Sequence, residues 1–220
     1  MLSIENARAW YSTSDPVHGL DHVARVHQMA VRLAQLEGAD LEIVSAAALL
    51  HDAGNQADHQ GQAGLQTPTA ARQEHHHAAA EFAQAILREE GWSQARIAAV
   101  QHCIRSHRFR DEREQPQTLE AQILFDADKL DAIGAIGAAR AVGYAVQAGQ
   151  PAYAPVSEQF RKSGHGEPGE AHSAYHEYIF KLRWLKARFY TPSARQIAEN
   201  RHRALEEFFT RLAAECRGAE

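Results

Sequence analysis

Apolar residues recur at helical spacing along almost the whole chain. Val23, Val26, Ala30, Leu33 and Leu36 form one stripe over residues 18–37, and Gly38 closes it. Asp40 follows as the N-cap of a second helix over 41–52, which stops before Gly54. The stretch 54–68, rich in Gly, Gln and Pro, reads as a loop, and helices are predicted over 70–90 and 93–107 with Gly91 between them. Residues 108–117 form a charged connector. The Ala-rich stretch 119–147 reads as helical, with Gly134, Gly137 and Gly143 permitting close helix packing. Residues 149–169 carry Pro, Gly and Ser with few apolar side chains, which predicts a long loop suited to an active-site lid. Helices over 171–190 and 193–216, divided at Thr191-Pro192, complete the pattern. No alternating strand pattern and no internal repeat interrupts it. The expected fold is all-α: a single domain over 1–220 with its core at 18–147 and the helices of 171–216 packed on that core.

Composition narrows the functional classes. Of 220 residues, 45% are hydrophobic and 23% charged, an ordinary globular balance that excludes disorder for most of the chain. A chain of this length buries roughly 70% of its unfolded surface and needs neither disulfide nor metal merely to fold. Lys and Arg number 23 against 28 Asp and Glu, a net charge of -5, and no basic stripe carries interleaved aromatics. A polymeric nucleic-acid partner is therefore not expected, whereas a small anion needs only a few local cations. No apolar stretch approaches the length of a membrane span. The opening residues have no basic region followed by an apolar one, so a cytoplasmic protein is expected. Cys103 and Cys216 have neither metal nor disulfide spacing. The unusual count is histidine, at 14.

Four polar side chains sit where the helical pattern calls for apolar ones. His22 shares a stripe with Val26, Met29 and Leu33; His51 follows Leu41, Val44 and Ala48, with Asp52 beside it; Asp128 shares a face with Leu124, Ala132 and Ala135. A single histidine on an apolar face is more often a satisfied core residue, and an aspartate at a helix end more often a cap. Taken together they read differently. A buried carboxylate is costly unless paired or bound to a metal, and two imidazoles with two carboxylates make a donor set suited to Mn, Fe, Co, Ni or Zn. The pair His51-Asp52, closing the run Ala46-Ala47-Ala48-Leu49-Leu50, is the strongest of these signals.

Three segments carry a family resemblance. They are His18-Gly-Leu-Asp-His22-Val-Ala-Arg25-Val, Ala47-Ala-Leu-Leu-His51-Asp52-Ala-Gly, and Asp126-Ala-Asp128-Lys129-Leu-Asp131-Ala-Ile-Gly134-Ala-Ile-Gly137. In this order they resemble the signature of HD-domain metal-dependent phosphohydrolases, and more narrowly the bacterial branch containing nucleotide pyrophosphatases. Ile104-Arg-Ser-His107-Arg-Phe-Arg and the tail Ala198-Glu-Asn-Arg201 with Phe208 extend the likeness over nearly the whole chain. The resemblance implies an all-α HD domain with His22, His51, Asp52 and Asp128 as ligands of a divalent ion, Mn2+ or Mg2+ first, with Ni2+, Co2+, Fe2+ or Zn2+ as other candidates. Asp128 is preferred to Asp126 because the family's ligand precedes a basic residue, here Lys129.

The same resemblance assigns Lys129, His75 and His107 to steadying the phosphates or protonating the leaving group, and His18, Arg25, His76 and Lys181 to substrate contact. Among the consecutive His75, His76 and His77, the family register selects His75 first and His76 second; His107 fits better than His102. These histidines permit a second ion without demanding it. Where many relatives carry an acidic residue or lysine soon after the His-Asp pair, this chain has Asn55, so no general base is named. The implied reaction is attack of an activated water on the α-phosphorus of an NTP or dNTP, releasing pyrophosphate. A 5'-nucleotidase or phosphodiesterase using the same site, a dinuclear iron oxygenase, and a silent nucleotide sensor are the alternatives. The implied partner is a small phosphate ester or nucleotide, with no membrane or polymeric nucleic acid, and the chain a monomer or homodimer. The remaining histidines, 27, 59, 165, 172, 176 and 202, are expected at the surface.

Overall fold

The computed structural model describes residues 2–11, 19–53, 68–108 and 114–219, without the side chains of 68–75. Among the described residues every regular element is helical. The expected loop 54–68 lies outside them but for its last residue, and so do His18, His59 and the side chain of His75. The elements are α1 (Ile4–Ala7), a 3-10 turn (Arg8–Trp10), α2 (Leu20–Glu37), α3 (Leu41–Leu50), α4 (Pro68–Glu89), α5 (Gln94–Ser106), α6 (Leu119–Asp131), α7 (Gly134–Gln147), α8 (Glu158–Ser163), α9 (Ala174–Phe180), a 3-10 helix (Leu182–Arg188) and α10 (Pro192–Cys216). The chain falls into two compact units, Met1–Asp128 and Lys129–Glu220.

In the first unit α3 is the central element and packs against α2, α4 and α5. Its sequence explains this position, because Val44 and the run Ala46 to Leu50 are all buried, leaving little of the helix to face water. Asp40 starts α3 by accepting the Glu42 and Ile43 backbone N–H groups at 3.0 and 3.1 Å, and Arg96 of α5 holds the same carboxylate from the other side at 3.0 Å. On α2 the buried stripe is His22, Val23, Val26, Ala30, Leu33 and Ala34. Leu36, read as the end of that stripe, is exposed.

The stretch 119–147 is not one helix. Ala132 and Ile133 close the end of α6 with short backbone bonds to Lys129 and Leu130, and α7 begins at Gly134 with φ +77°. A Cβ on Gly137 would lie 2.3 Å from the Ala132 carbonyl oxygen, so Gly137 serves the corner, whereas a Cβ on Gly134 would meet Arg201 of α10 at 3.1 Å, the close helix approach expected of it. Gly143 faces open space.

In the second unit α10 packs on α7, α9 and the 3-10 helix. Phe209 of α10 stacks on Tyr178 at 4.6 Å between ring centroids, and Arg201 Nη1 donates to the Leu130 carbonyl at 2.6 Å. The expected helix over 171–190 is interrupted at Lys181, where the backbone leaves helical geometry and continues as a 3-10 helix. The expected loop 149–169 contains α8, whose Phe160 is buried edge-on against His176 and Phe180. Glu170 ties this segment down, accepting from the Ser157 N–H at 2.8 Å and the Glu167 N–H at 2.7 Å and facing His176 Nε2 at 3.0 Å.

Candidate metal centre

The site forms where α2, α3, α5 and α6 each contribute one end or one face. His22 sits in the first turn of α2 and is buried by the stripe it belongs to; His51 is the C-cap of α3, and Asp52 is the next residue. His107 is the C-cap of α5, and Asp128 lies on the last turn of α6. The exposed fractions of the His22 and His51 side chains are 1% and 0%, those of Asp52 and Asp128 15% each. The carboxylates thus keep an opening to solvent that the imidazoles lack.

Helix ends set the orientation of two of the rings. The last carbonyls of a helix lack intrahelical donors. His51 Nδ1 reaches back to the Ala48 carbonyl at 2.8 Å, and His107 Nδ1 to the Ile104 carbonyl at 2.5 Å, the same three-residue step in both helices. A carbonyl can only accept, so Nδ1 carries the proton and Nε2 presents its lone pair. This is the usual way an imidazole ligand is held in one tautomer. The rings of His22 and His107 lie edge-on to that of His51, at 5.5 and 5.3 Å between centroids.

The polar atoms converge. Asp52 Oδ2 lies 3.4 Å from His51 Nε2 and 3.9 Å from His22 Nε2; Asp128 Oδ1 lies 3.5 Å from His22 Nε2. The other oxygen of Asp52, Oδ1, faces His107 Nε2 at 3.8 Å. His51 Nε2 is fully buried and makes no hydrogen bond among the described residues. A buried nitrogen in that condition is costly. The ligand atoms of His22, His51 and Asp52 all lie within 4.8 Å of one another. His22, His51 and Asp52 can hold a metal, and the nitrogen and oxygen donors fit a divalent transition ion. The C-terminal ends of α3 and α5, both at the site, carry partial negative charge that favours a cation.

The other candidates lie on α2, α4, α5 and α6 and at the end of α9. His76 is buried and His77 exposed on α4. Arg25 pairs with Asp21 one turn back on α2. His102 bonds Glu114 at 2.7 Å instead of turning toward Asp52. Lys129 follows Asp128 on α6 and is half-buried, and Lys181, also half-buried, is the C-cap of α9. Asp126 is fully buried. The surface expectation fails for His176, which is buried between Ser173 and Glu170, and for His27, whose half-buried ring bonds Ser45 at 2.8 Å. Burial lowers the His27 pKa, and burial raises that of Cys103 to about 12, leaving an inert thiol.

A family model described as HD domain matches residues 19–133. The chain belongs to the HD-domain family. The segment that matches carries all five convergent residues. The HD-domain chain is also 31% identical to the Bacillus subtilis protein YpgQ over 98% of its own length and 95% of that protein's. The crystal structure of YpgQ in complex with ADP superposes with a TM-score of 0.70 at 28% identity, over 99% of this chain and 100% of the other. A Lactobacillus plantarum protein gives 0.73 at 28% identity, covering 99% of this chain and 100% of that one. A Bacillus thuringiensis HD-superfamily hydrolase gives 0.66 at 27%, covering 97% and 96%. No described helix is long and apolar enough to cross a membrane.

Proposed function

We propose that this HD-domain protein is a metal-dependent phosphohydrolase that cleaves nucleoside triphosphates to monophosphate and pyrophosphate. The observation that carries the reading is the convergence of His22, His51 and Asp52, with His51 Nε2 buried and making no hydrogen bond among the described residues. The nucleotide class is supported by ADP in the crystal structure of the relative YpgQ, and the hydrolase class by the Bacillus thuringiensis neighbour.

His22, His51, Asp52 and Asp128 would hold the ion. When bound, a divalent ion supplies a water acidified toward neutral pH and draws charge from the phosphoryl oxygens. The chain's own residues then have positioning and electrostatic work. Ala48 keeps His51 in the tautomer that presents Nε2, and Ile104 does the same for His107. Lys129, His75 and His107 would steady the phosphates or hand a proton to the departing oxygen, His107 only as the imidazolium, since its neutral form keeps its one proton on Nδ1 toward Ile104. Arg25 would exchange Asp21 for phosphate, with His18, His76 and Lys181 as further substrate contacts. The partly exposed Asp52 and Asp128 carboxylates would mark the side from which the nucleotide enters.

The test begins with protein stripped of metal and reloaded with Mn2+. It is offered NTPs, dNTPs, nucleoside monophosphates and a generic phosphodiester, with pyrophosphate and phosphate quantified separately. Pyrophosphate release that is lost in the His51→Ala/Asp52→Ala double variant is the expected result. Phosphate release from monophosphates would move the protein to the nucleotidase reading, and silence across substrates and metals would overturn hydrolysis. A two-ion version draws on His107 facing the second oxygen of Asp52; it predicts two Mn2+ per chain, falling to one in His107→Ala.

A further inference from the structure

The turn that carries His51 and Asp52 hangs from the C-terminal end of α3. Three successive carbonyls of that end are closed, each by a different partner. Ala48 receives His51 Nδ1 at 2.8 Å, Leu49 receives the Tyr11 hydroxyl at 2.8 Å, and Leu50 receives the Ala53 N–H at 3.1 Å. His51 and Ala53 belong to the turn itself, so their bonds move with it. Tyr11 does not. It arrives from 38 residues earlier in the chain, and its hydrogen bond with Leu49 is buried.

The anchoring of Tyr11 is itself specific. Ser3 caps α1 by accepting the Asn6 N–H, Ala7 is fully buried, and α1 lies against α3. Trp10 packs edge-on to Phe82 of α4 at 5.8 Å. The N-terminal segment is therefore held on α3 and α4 at adjacent residues, with the phenol of Tyr11 itself buried. The Asp52 backbone N–H also reaches the Tyr11 hydroxyl, so the phenol touches the turn at both Leu49 and Asp52. Residues 3–11 precede the HD-domain match, which begins at residue 19.

We infer that Tyr11 is a positioning residue for the metal centre: through the Leu49 carbonyl it fixes the α3 terminal turn so that His51 Nε2 and Asp52 Oδ2 face a common point. Leu49 lies two residues before His51 and three before Asp52, so a shift at its carbonyl is transmitted along one turn of backbone into both side chains. The inference rests on the proposed metal site, but not on the identity of the substrate.

The test compares Tyr11→Phe, which keeps the ring and removes only the hydroxyl, with Thr191→Ala, which removes the N-cap of α10 in the second unit. Mn2+ binding is titrated by electron paramagnetic resonance with no substrate present, and kcat and KM are measured at saturating Mn2+. Tyr11→Phe is expected to weaken Mn2+ binding by about tenfold, the low end of what supporting groups around ligands contribute. It is also expected to lower kcat with little change in KM, while the helical circular-dichroism signal is retained. Thr191→Ala is expected to lower the melting temperature and leave Mn2+ affinity unchanged. Wild-type Mn2+ affinity in Tyr11→Phe would overturn the inference, as would an equal loss in Thr191→Ala, which would mark the effect as general destabilisation. A wild-type protein that binds Mn2+ but hydrolyses no nucleotide sinks the proposed activity alone, and the titration still decides the role of Tyr11. A wild-type protein that binds no divalent ion overturns both.

Discussion

Asp52 has two oxygens with different surroundings, Oδ2 toward His22 and His51, Oδ1 toward His107. Replacing the carboxylate by an amide keeps the size but removes the charge and turns half of the group into a donor aimed at imidazole lone pairs. Asp52→Asn is expected to weaken Mn2+ binding by at least about 100-fold, the upper figure for losing supporting interactions and a floor for losing a ligand; calorimetric titration reads it. Asp126 and Asp128 make a second contrast two residues apart. Asp128→Asn is expected to abolish Mn2+-dependent hydrolysis with little change in melting temperature. Asp126→Asn, at a fully buried position, is expected to lower the melting temperature instead. The reverse pattern would show that the ligand had been assigned to the wrong carboxylate. The preference for Asp128 rests on its basic neighbour Lys129, the family's pattern. The apolar face offered for it was not sound, since Ala135 belongs to α7 and is exposed.

Elements fail and hold for reasons that single substitutions expose. At the corner between α6 and α7, Gly137→Ala would press a methyl against the Ala132 carbonyl and is expected to cost about 1–3 kcal/mol, as overpacking does. Gly143→Ala, in the same helix but facing open space, is expected to stabilise by up to about 1 kcal/mol from helix propensity alone. Urea unfolding of the pair separates packing from propensity. The segment bearing α8 gives a pH prediction. The Ser157 hydroxyl, then the Ser157 and Glu167 backbone N–H groups, hold the Glu170 carboxyl down at about 2, against an ordinary 4.5. The folded pKa lies below the unfolded one, so the stabilisation is fully present above pH 4.5 and is lost as the pH falls toward 2. The melting-temperature gap between wild type and Glu170→Gln should be constant from neutral pH down to about 5 and close below it; a constant gap at pH 3 would contradict the assignment.

For the whole molecule, metal and stability are linked. An ion that binds only the folded state stabilises it by about 2.7 kcal/mol at a hundredfold excess over its dissociation constant. For a chain of this size that corresponds to a rise of about 5–10 °C in melting temperature. Stripping with chelator should lower the melting temperature, Mn2+ should restore it, and the His51→Ala/Asp52→Ala double variant should show neither change. A shift of equal size in the double variant would place the stabilising ion elsewhere.

By itself the sequence determined the all-α class, the order of the main helices and the His-Asp pair, because each is written in local spacing. Apolar residues three and four apart define a buried face, Asp40 caps within three residues, and His51-Asp52 adjoin on one turn. Other features depend on what stands opposite in space. The family register already preferred His107 to His102, but only tertiary packing brings His107 to the second oxygen of Asp52 and sends His102 to Glu114. The break at Ala132, where a continuous Ala-rich helix was expected, follows from a corner built with Gly134 and Gly137. His176, expected at the surface, is buried because Glu170 and Ser173 fold back over it. Tyr11 carries no motif; its reach to Leu49 exists only because α1 and Trp10 are packed against α3 and α4. Local hydrogen bonding and periodicity are short-range and can be read along the chain, whereas the meeting of distant side chains is decided by how the helices fill space together.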